Sequence, residues 1–321
     1  MVYPVSIRLP TIIRINGISQ QVNERGKVMV TAFSVRNLYF RYPSSAEDTI
    51  KGITFDVYGG EIFGLLGPSG AGKSTTQKIL VKLLEDYKGS IEYFGRDLRG
   101  MDHSFYEEVG VGFEMPVHFT KLTALENMQF FSGFYKSTAD IRKLMERVGL
   151  WEYRDMKVGE YSKGMKVRLN FVRAMLNDPK VLFLDEVTNG LDPANARIIK
   201  DMIAEFRNQG GTVFLTTHLM NDVEDLCDRV AFCVDGKLVE ISTPRDLKLK
   251  YGKREVRVEY RDNKAVKTAV FPLDGIGFNK EFHNLLQTAG IETIHSGETT
   301  MEDIFITVTG VKLNEHADQT D

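Results

Sequence analysis

Two short runs in this chain end on residues that handle phosphate. GPSGAGKST, Gly67 to Thr75, closes on a lysine and two hydroxyls, and VLFLDE, Val181 to Glu186, closes on two carboxylates. The first fits the spacing G-x-x-x-x-G-K-[ST] and lies between an apolar strand pattern and a helical one. Gly67, Gly70 and Gly72, with Pro68, Ser69 and Ala71 between them, let successive backbone N–H groups turn inward around an anion, where side chains would obstruct. Lys73 supplies a point charge to the outer phosphates, Ser74 a hydroxyl for Mg²⁺, and Thr75 continues the helix start. A glycine-rich turn with an incidental lysine is the bland alternative, and the strand–loop–helix context argues against it. Asp185 and Glu186 fall at the carboxyl end of a buried strand, where open α/β sheets bind ligands. There Asp185 can hold Mg²⁺ through water, and Glu186 can orient or deprotonate an attacking water.

A third stretch, YSKGM, raises a different question. Ser162 reads as the N-cap of a helix running from about Lys163 to Leu176, with Gly164 in its first turn. A helix start with free N–H groups and a hydroxyl can bind an anion, yet the chain already has one phosphate cradle far upstream. A second anion site makes sense if it serves the nucleotide of a second copy. GLDP follows the carboxylate pair and places Asp192 in a turn. His218 ends the apolar run FLTTH, and only its place on a neighbouring strand end distinguishes it from a surface histidine.

The elements that must position these groups alternate strand and helix. AFSVRNLYFRY and ITFDVYGG alternate apolar and polar residues as half-buried strands do. EIFGLLG, VLFLDE and TVFLTTH are continuous apolar strands, of the kind covered on both faces of a sheet. A helix after the glycine loop is expected to place Ile79, Leu80, Leu83 and Leu84 on one face, and another spans Ala194–Arg207. The pattern predicts an α/β fold with a largely parallel sheet and a helical subdomain over about 115–177. Near Lys250 the composition changes. REVRVEYRDNKAVKTAVF reads as a hairpin turning at Arg261–Lys264, followed by helix, strand and helix to Thr309.

The domains expected are thus an N-terminal extension, 1–32; a nucleotide-binding domain, 33–245; a small α+β domain, 246–312; and a polar disordered tail, 313–321. The extension is either a loose arm or the product of an upstream start codon, with Met29 as the candidate natural start. Composition sets outer bounds. The 321 residues are 42% apolar and 26% charged, with 41 basic against 44 acidic residues and a net charge of −3. Such a balance argues against a nucleic-acid binder relying on bulk positive field. Cys227 and Cys233 form neither a metal pair nor a disulfide framework, which fits a reduced compartment. No apolar run approaches the roughly 20 residues that span a bilayer.

In this ordered set of motifs the chain resembles the ATP-binding cassette transporter ATPases over about residues 33–245. That family's phosphate loop matches GPSGAGKST, its aspartate–glutamate strand VLFLDE, its signature YSKGM, the loop after its catalytic glutamate GLDP, and its switch histidine His218. The resemblance implies a P-loop NTPase fold with a mixed sheet and helical subdomain, and ATP and Mg²⁺ as ligands. It also implies an aromatic at Tyr42 stacking on adenine, and metal contact from Glu114 in GFEMP. Its head-to-tail dimer would sandwich ATP between the phosphate loop of one copy and Ser162 and Gly164 of the other, so YSKGM would serve as the lid on the partner's nucleotide. Closing and reopening of that dimer would drive a separate membrane permease, with this subunit peripheral on the cytoplasmic face.

Four positions, in three of the motifs, depart from the family. Glu114 replaces its usual glutamine, which is expected to slow hydrolysis or make it more Mg²⁺-sensitive. Val187 replaces a proline after Glu186, which is expected only to loosen that turn. Lys163 and Met165 depart from the commonest signature, L-S-G-G-Q, but SKGM and the C-terminal TTMEDIFITVTG resemble the bacterial drug, antibiotic and polysaccharide exporters. The alternative weighed is a soluble cassette ATPase acting on ribosomes or DNA. Members of that kind carry two cassettes or a long coiled coil, and neither is evident here.

Overall fold

The structure, a computed structural model, describes residues 12–15, 18–22, 28–115, 117–262, 265–296 and 299–311. The chain divides into a large unit ending at Ile241 and a small one, Ser242–Lys312.

Two sheets form the large unit. The antiparallel one runs in the order β1 (Ile12–Ile15), β2 (Ile18–Val22), β3 (Val28–Phe40), β6 (Lys88–Tyr93) and β7 (Arg96–Asp97), with β4 (Ile50–Tyr58) also on β3. The second has the order β12 (Lys237–Ser242), β11 (Arg229–Val234), β5 (Ile62–Leu66), β10 (Thr212–Thr217), β9 (Val181–Asp185) and β8 (Val109–Gly112). From β11 to β8 every pairing in it is parallel. β5, β9 and β10 are buried at every position, as continuous apolar runs require when both faces of a sheet are covered. Phe63, Phe183 and Phe214, one from each strand, meet Phe55 and Phe33 of the antiparallel sheet at ring distances of 5.5 to 6.2 Å. Each such ring contributes roughly 2–3 kcal/mol by leaving water. This aromatic layer fixes the strand ends that carry the candidate site.

Helices α1 (Lys73–Leu80) and α2 (Ser104–Glu108) precede the helical region, which holds α3 (Ala124–Ser132), α4 (Ile141–Arg147) and α5 (Lys163–Ala174). Then come α6 (Pro193–Asn208) and α7 (Met220–Leu226). α3 opens on a reciprocal cap between Thr123 and Glu126, and α5 on the Ser162 hydroxyl accepting from Met165 N at 3.2 Å.

Two local expectations change. α1 stops at Leu80 because Lys82 takes a left-handed φ of 57°, so Leu83 turns out to solvent at 55% exposure and leaves the apolar face. Residues 12–15 and 18–22, expected as part of a loose arm, form an antiparallel pair, and β2 continues onto β3. β3 itself starts at Val28, within the segment set apart as an extension.

The small unit holds α8 (Pro244–Tyr251), the sheet β14 (Ala265–Pro272), β13 (Glu255–Asp262), β15 (Gly290–Ser296), α9 (Lys280–Thr288) and α10 (Met301–Thr309). Alternation along β13 turns Val256 and Val258 inward onto Phe271, with Phe282 and Leu285 of α9 packed over them. Of the turn expected at Arg261–Lys264, Arg261 and Asp262 belong to β13, while 263–264 and the tail 313–321 lie outside the described residues.

Candidate functional site

The glycine loop joins β5 to α1 and is braced from behind. A Cβ on Gly67 would meet the Cys233 carbonyl oxygen at 2.1 Å, so β11 can approach only a glycine. The Ala71 carbonyl accepts from Cys233 Sγ at 3.1 Å and from Gly236 N at 3.1 Å. Gly72 adopts φ 100° and gives α1 no side-chain cap, which leaves the first N–H groups of α1 for an external anion. Ser69 and Gly70 are exposed, and nothing lies within 4 Å of where a Gly70 Cβ would be.

Lys73 is 7% exposed, and its ammonium donates to Gly67 O at 2.8 Å and Pro68 O at 3.0 Å. Burial pulls its pKa down, while the charges of Glu186 and Asp185 oppose that pull without cancelling it. Ser74 is half-buried next to it. Thr75 places its hydroxyl 3.2 Å from that of Tyr42, whose ring packs edge-on against Phe40 at 4.9 Å. Tyr42 is therefore tied to the first turn of α1.

Both carboxylates stand at the carboxyl end of β9, beside the end of its parallel neighbour β10. Asp185 is 6% exposed and accepts a hydrogen bond from the Thr216 hydroxyl on β10. Glu186 follows with φ 52°, a conformation non-glycine residues adopt at a cost, held by its N–H on Thr216 O at 3.0 Å. Its Oε1 lies 2.7 Å from His218 Nδ1, and its Oε2 is buried without a hydrogen-bond partner. Hydrogen bonding to Glu186 raises the His218 pKa above its ordinary value against the opposing pull of burial, and the charge of Glu114 adds to the rise. Glu114 is exposed, and acts on Lys73 in the same direction.

The segment bearing Glu114 is fastened to α5. Asn170 Nδ2 donates to Phe113 O at 2.7 Å, Arg173 Nη1 to Val117 O at 2.6 Å, and His118 Nε2 lies 3.2 Å from Lys166 O. Ser162 and Gly164 open that helix. Gly164 faces Leu191 Cδ2, and Lys163 lies across Gly190, so the signature stretch adjoins the turn before Asp192. Asp192 caps α6, both its oxygens engaged by Asn195.

The fold therefore gathers Lys73, Ser74, Asp185, Glu186 and His218, with Tyr42 attached through Thr75 and Glu114 acting through space. Ser162, Gly164 and Asp192 form a second group. Among the described residues no hydrogen bond or ion pair joins that group to Lys73 or Glu186. Gln77, Thr216, Asn170, Arg173 and His118 went unnoticed in the sequence. Gln77 places Oε1 3.2 Å from Thr216 Oγ1 and leaves a buried Nε2 unpaired. Only Thr216, a hydroxyl near the buried carboxyl end of β10, carried a local signal.

The chain is similar to proteins of known family. A family described as "ABC transporter" matches residues 50–189, and one described as "Fluoroquinolone efflux ABC transporter C-terminal domain" matches residues 254–298. The fluoroquinolones export ATP-binding protein of Mycobacterium tuberculosis (strain CDC 1551 / Oshkosh) is 49% identical over 289 residues, covering 89% of this chain and 96% of the relative. The Nod factor export ATP-binding protein I of Burkholderia orbicola (strain AU 1054) is 35% identical over 68% of this chain and 73% of its own length. Among solved structures, an ATP-binding subunit of an ABC transporter matches with TM-score 0.63 at 27% identity, over 69% of this chain and 94% of that one. A dimeric cassette in a post-hydrolysis state with ADP and Pi matches in fold, with TM-score 0.61 at 23% identity, over 66% of this chain and 98% of that one.

Proposed function

The chain belongs to the ATP-binding cassette transporter family as the ATP-hydrolysing subunit of an exporter, and from that premise we propose that Lys73, Ser74, Asp185, Glu186 and His218 form its hydrolytic centre. The relatives are export proteins, and the alternative of a soluble factor acting on ribosomes or DNA is set aside. The observation that carries the site reading is the Glu186 carboxylate, with one oxygen on His218 and the other buried and unpaired. An orphaned carboxylate oxygen at the end of a central strand is placed to accept a proton.

Backbone N–H groups of Gly70 to Ser74 and the Lys73 ammonium would hold the phosphates, and Tyr42 the adenine. Among the described residues no three His, Cys, Asp or Glu side chains converge on a metal position. Mg²⁺ takes few protein ligands and completes its shell from phosphate and water. Ser74, Asp185 and Glu114 are the oxygen donors on offer. When bound, Mg²⁺ neutralises charge on the transferred phosphoryl group. Glu186 takes a proton from the attacking water, and His218 holds Glu186 in place.

A second copy supplies Ser162 and Gly164 across the nucleotide, with Asp192 in the adjoining turn. A membrane permease is the further partner. Met115 at 79%, Val117 at 73% and Phe134 at 68% exposure, with Phe119 and Phe130 beside them, present apolar surface flanking Glu114. No helix among the described residues is long and apolar enough to cross a membrane. The export ATP-binding relatives support attachment through the permease on the cytoplasmic face. The exported substrate is of the fluoroquinolone class, a reading supported by the mycobacterial relative and by the match over residues 254–298.

The test is drug accumulation in cells carrying the chain with its permease. Wild type lowers accumulation of a fluoroquinolone and Glu186→Gln does not. Equal accumulation with both would overturn the substrate assignment.

A further inference from the structure

The turn that follows Glu186 is held by a buried network outside the groups described so far. Asp222, in the first turn of α7 and 2% exposed, accepts a hydrogen bond from the Thr188 hydroxyl on Oδ2. Its Oδ1 lies 2.8 Å from the Lys200 ammonium of α6, which also reaches Asp225 Oδ2 at 2.8 Å. Thr188 is itself 5% exposed and the Lys200 side chain 14%. Burial pulls the Lys200 pKa down, but hydrogen bonds to Asp222 and Asp225 outweigh it, and the ammonium is held charged. A buried carboxylate meeting one hydroxyl and one cation is satisfied on both oxygens, and losing either partner would leave a buried charge exposed to desolvation cost.

Its placement gives the network a consequence for chemistry. Thr188 lies two residues beyond Glu186, in a turn closed by Asn189 N on Glu186 O at 3.0 Å and Leu191 N on Thr188 O at 3.1 Å. Asp222 lies four residues beyond His218, on the helix that begins at Met220. One carboxylate thus ties the segment after the acid to the segment after the histidine. The two meet again at the 2.7 Å Glu186–His218 contact. Glu186 needs this support because its left-handed φ of 52° is strained. Val187, expected to loosen the turn in place of a proline, is 4% exposed, and the Thr188–Asp222 bond supplies the fixation instead.

We propose that Asp222 is a positioning residue for hydrolysis, acting through Thr188 and Lys200 to set Glu186 against His218. The inference rests on the reading of Glu186 as the base. A misplacement of the base by about 1 Å, caused by loss of its support, lowers turnover without touching the groups that grip nucleotide.

Steady-state ATP hydrolysis by the full chain, with varied ATP at saturating Mg²⁺, tests this with three variants. Thr188→Val keeps shape and removes the donor, Thr188→Ser restores the hydroxyl, and Asp222→Asn removes the charge. Thr188→Val and Asp222→Asn should lower kcat by roughly 10- to 100-fold with KM for ATP within about threefold of wild type, and Thr188→Ser should recover most of the loss. A merely structural role would lower the melting temperature and leave kcat per folded site intact. Unchanged kcat in Thr188→Val, or an equal loss in Thr188→Ser, overturns the proposal, as does a rise in KM that accounts for the whole effect. Should Asp222→Asn fail to fold, the two Thr188 variants decide alone. Glu186→Gln in the same assay separates the readings: if it turns over normally, the base assignment itself has failed, whatever Asp222 does.

Discussion

Glu186 and His218 are joined by a 2.7 Å contact between Oε1 and Nδ1, and they come from the ends of two adjacent parallel strands. The pairing leaves Glu186 with one oxygen fixed and the other free to take a proton. Replacing Glu186 by Gln keeps the shape and removes the base, so turnover should fall on the order of 10²-fold or more while ATP binding survives. Size exclusion of Glu186→Gln with and without ATP and Mg²⁺ should then show an ATP-dependent dimer. Near-normal hydrolysis by this variant would remove Glu186 as base.

Glu114 is exposed; its charge adds to the rise of the His218 pKa and opposes the burial that lowers the Lys73 pKa. Glu114→Gln removes that charge and restores the residue usual in the family. ATPase activity should be retained or increased, with the His218 titration moved to lower pH. A Mg²⁺ titration of hydrolysis checks it, since complete loss would make the carboxylate itself essential.

The parts legible in the sequence were those set by local rules. Ser162 caps α5 because a hydroxyl before a helix accepts from its first turn, and the glycine loop announces itself by spacing. Leu83 was misassigned because the helix stop depends on the backbone conformation of Lys82, for which no glycine or proline gives warning. The links that tune the site join residues far apart in sequence: Asn170 to Phe113 and Asp222 to Thr188. Asparagine and aspartate are common on helix surfaces, so burial, which sequence alone does not reveal, is what sets these two apart.

His118 ties the Glu114 segment to α5. Burial, reinforced by the Arg173 charge, lowers its pKa to about 4, and its Nδ1 is buried without a partner. An unfolded histidine titrates near 6.5, so between roughly pH 6.5 and 4 the unfolded chain binds a proton that the folded chain refuses. The stability contributed by neutral His118 is therefore full above pH about 6.5 and declines as pH falls towards 4. His118→Gln keeps a donor for Lys166 O and abolishes the titration. Melting temperatures from pH 7 to pH 5 should fall less steeply in that variant than in wild type. Parallel curves would show that His118 protonation does not govern acid sensitivity.

Gly164 separates the needs of the fold from those of a second copy. A Cβ there would meet only Leu191 Cδ2 at 3.5 Å, an ordinary contact, so the chain itself has no steric need for glycine in the first turn of α5. Alanine is the better helix former by about 0.5–1 kcal/mol, and Gly164→Ala should raise the urea midpoint. If the bare backbone at Gly164 faces the nucleotide of a partner copy, the same methyl group obstructs that approach. ATP-driven dimerisation in the Glu186→Gln background, and hydrolysis in the wild-type background, should then both fall. Opposite signs in stability and activity would identify the start of α5 as a surface shaped for the partner. Undiminished dimerisation and turnover by the more stable Gly164→Ala chain would show that the partner's nucleotide does not depend on this face.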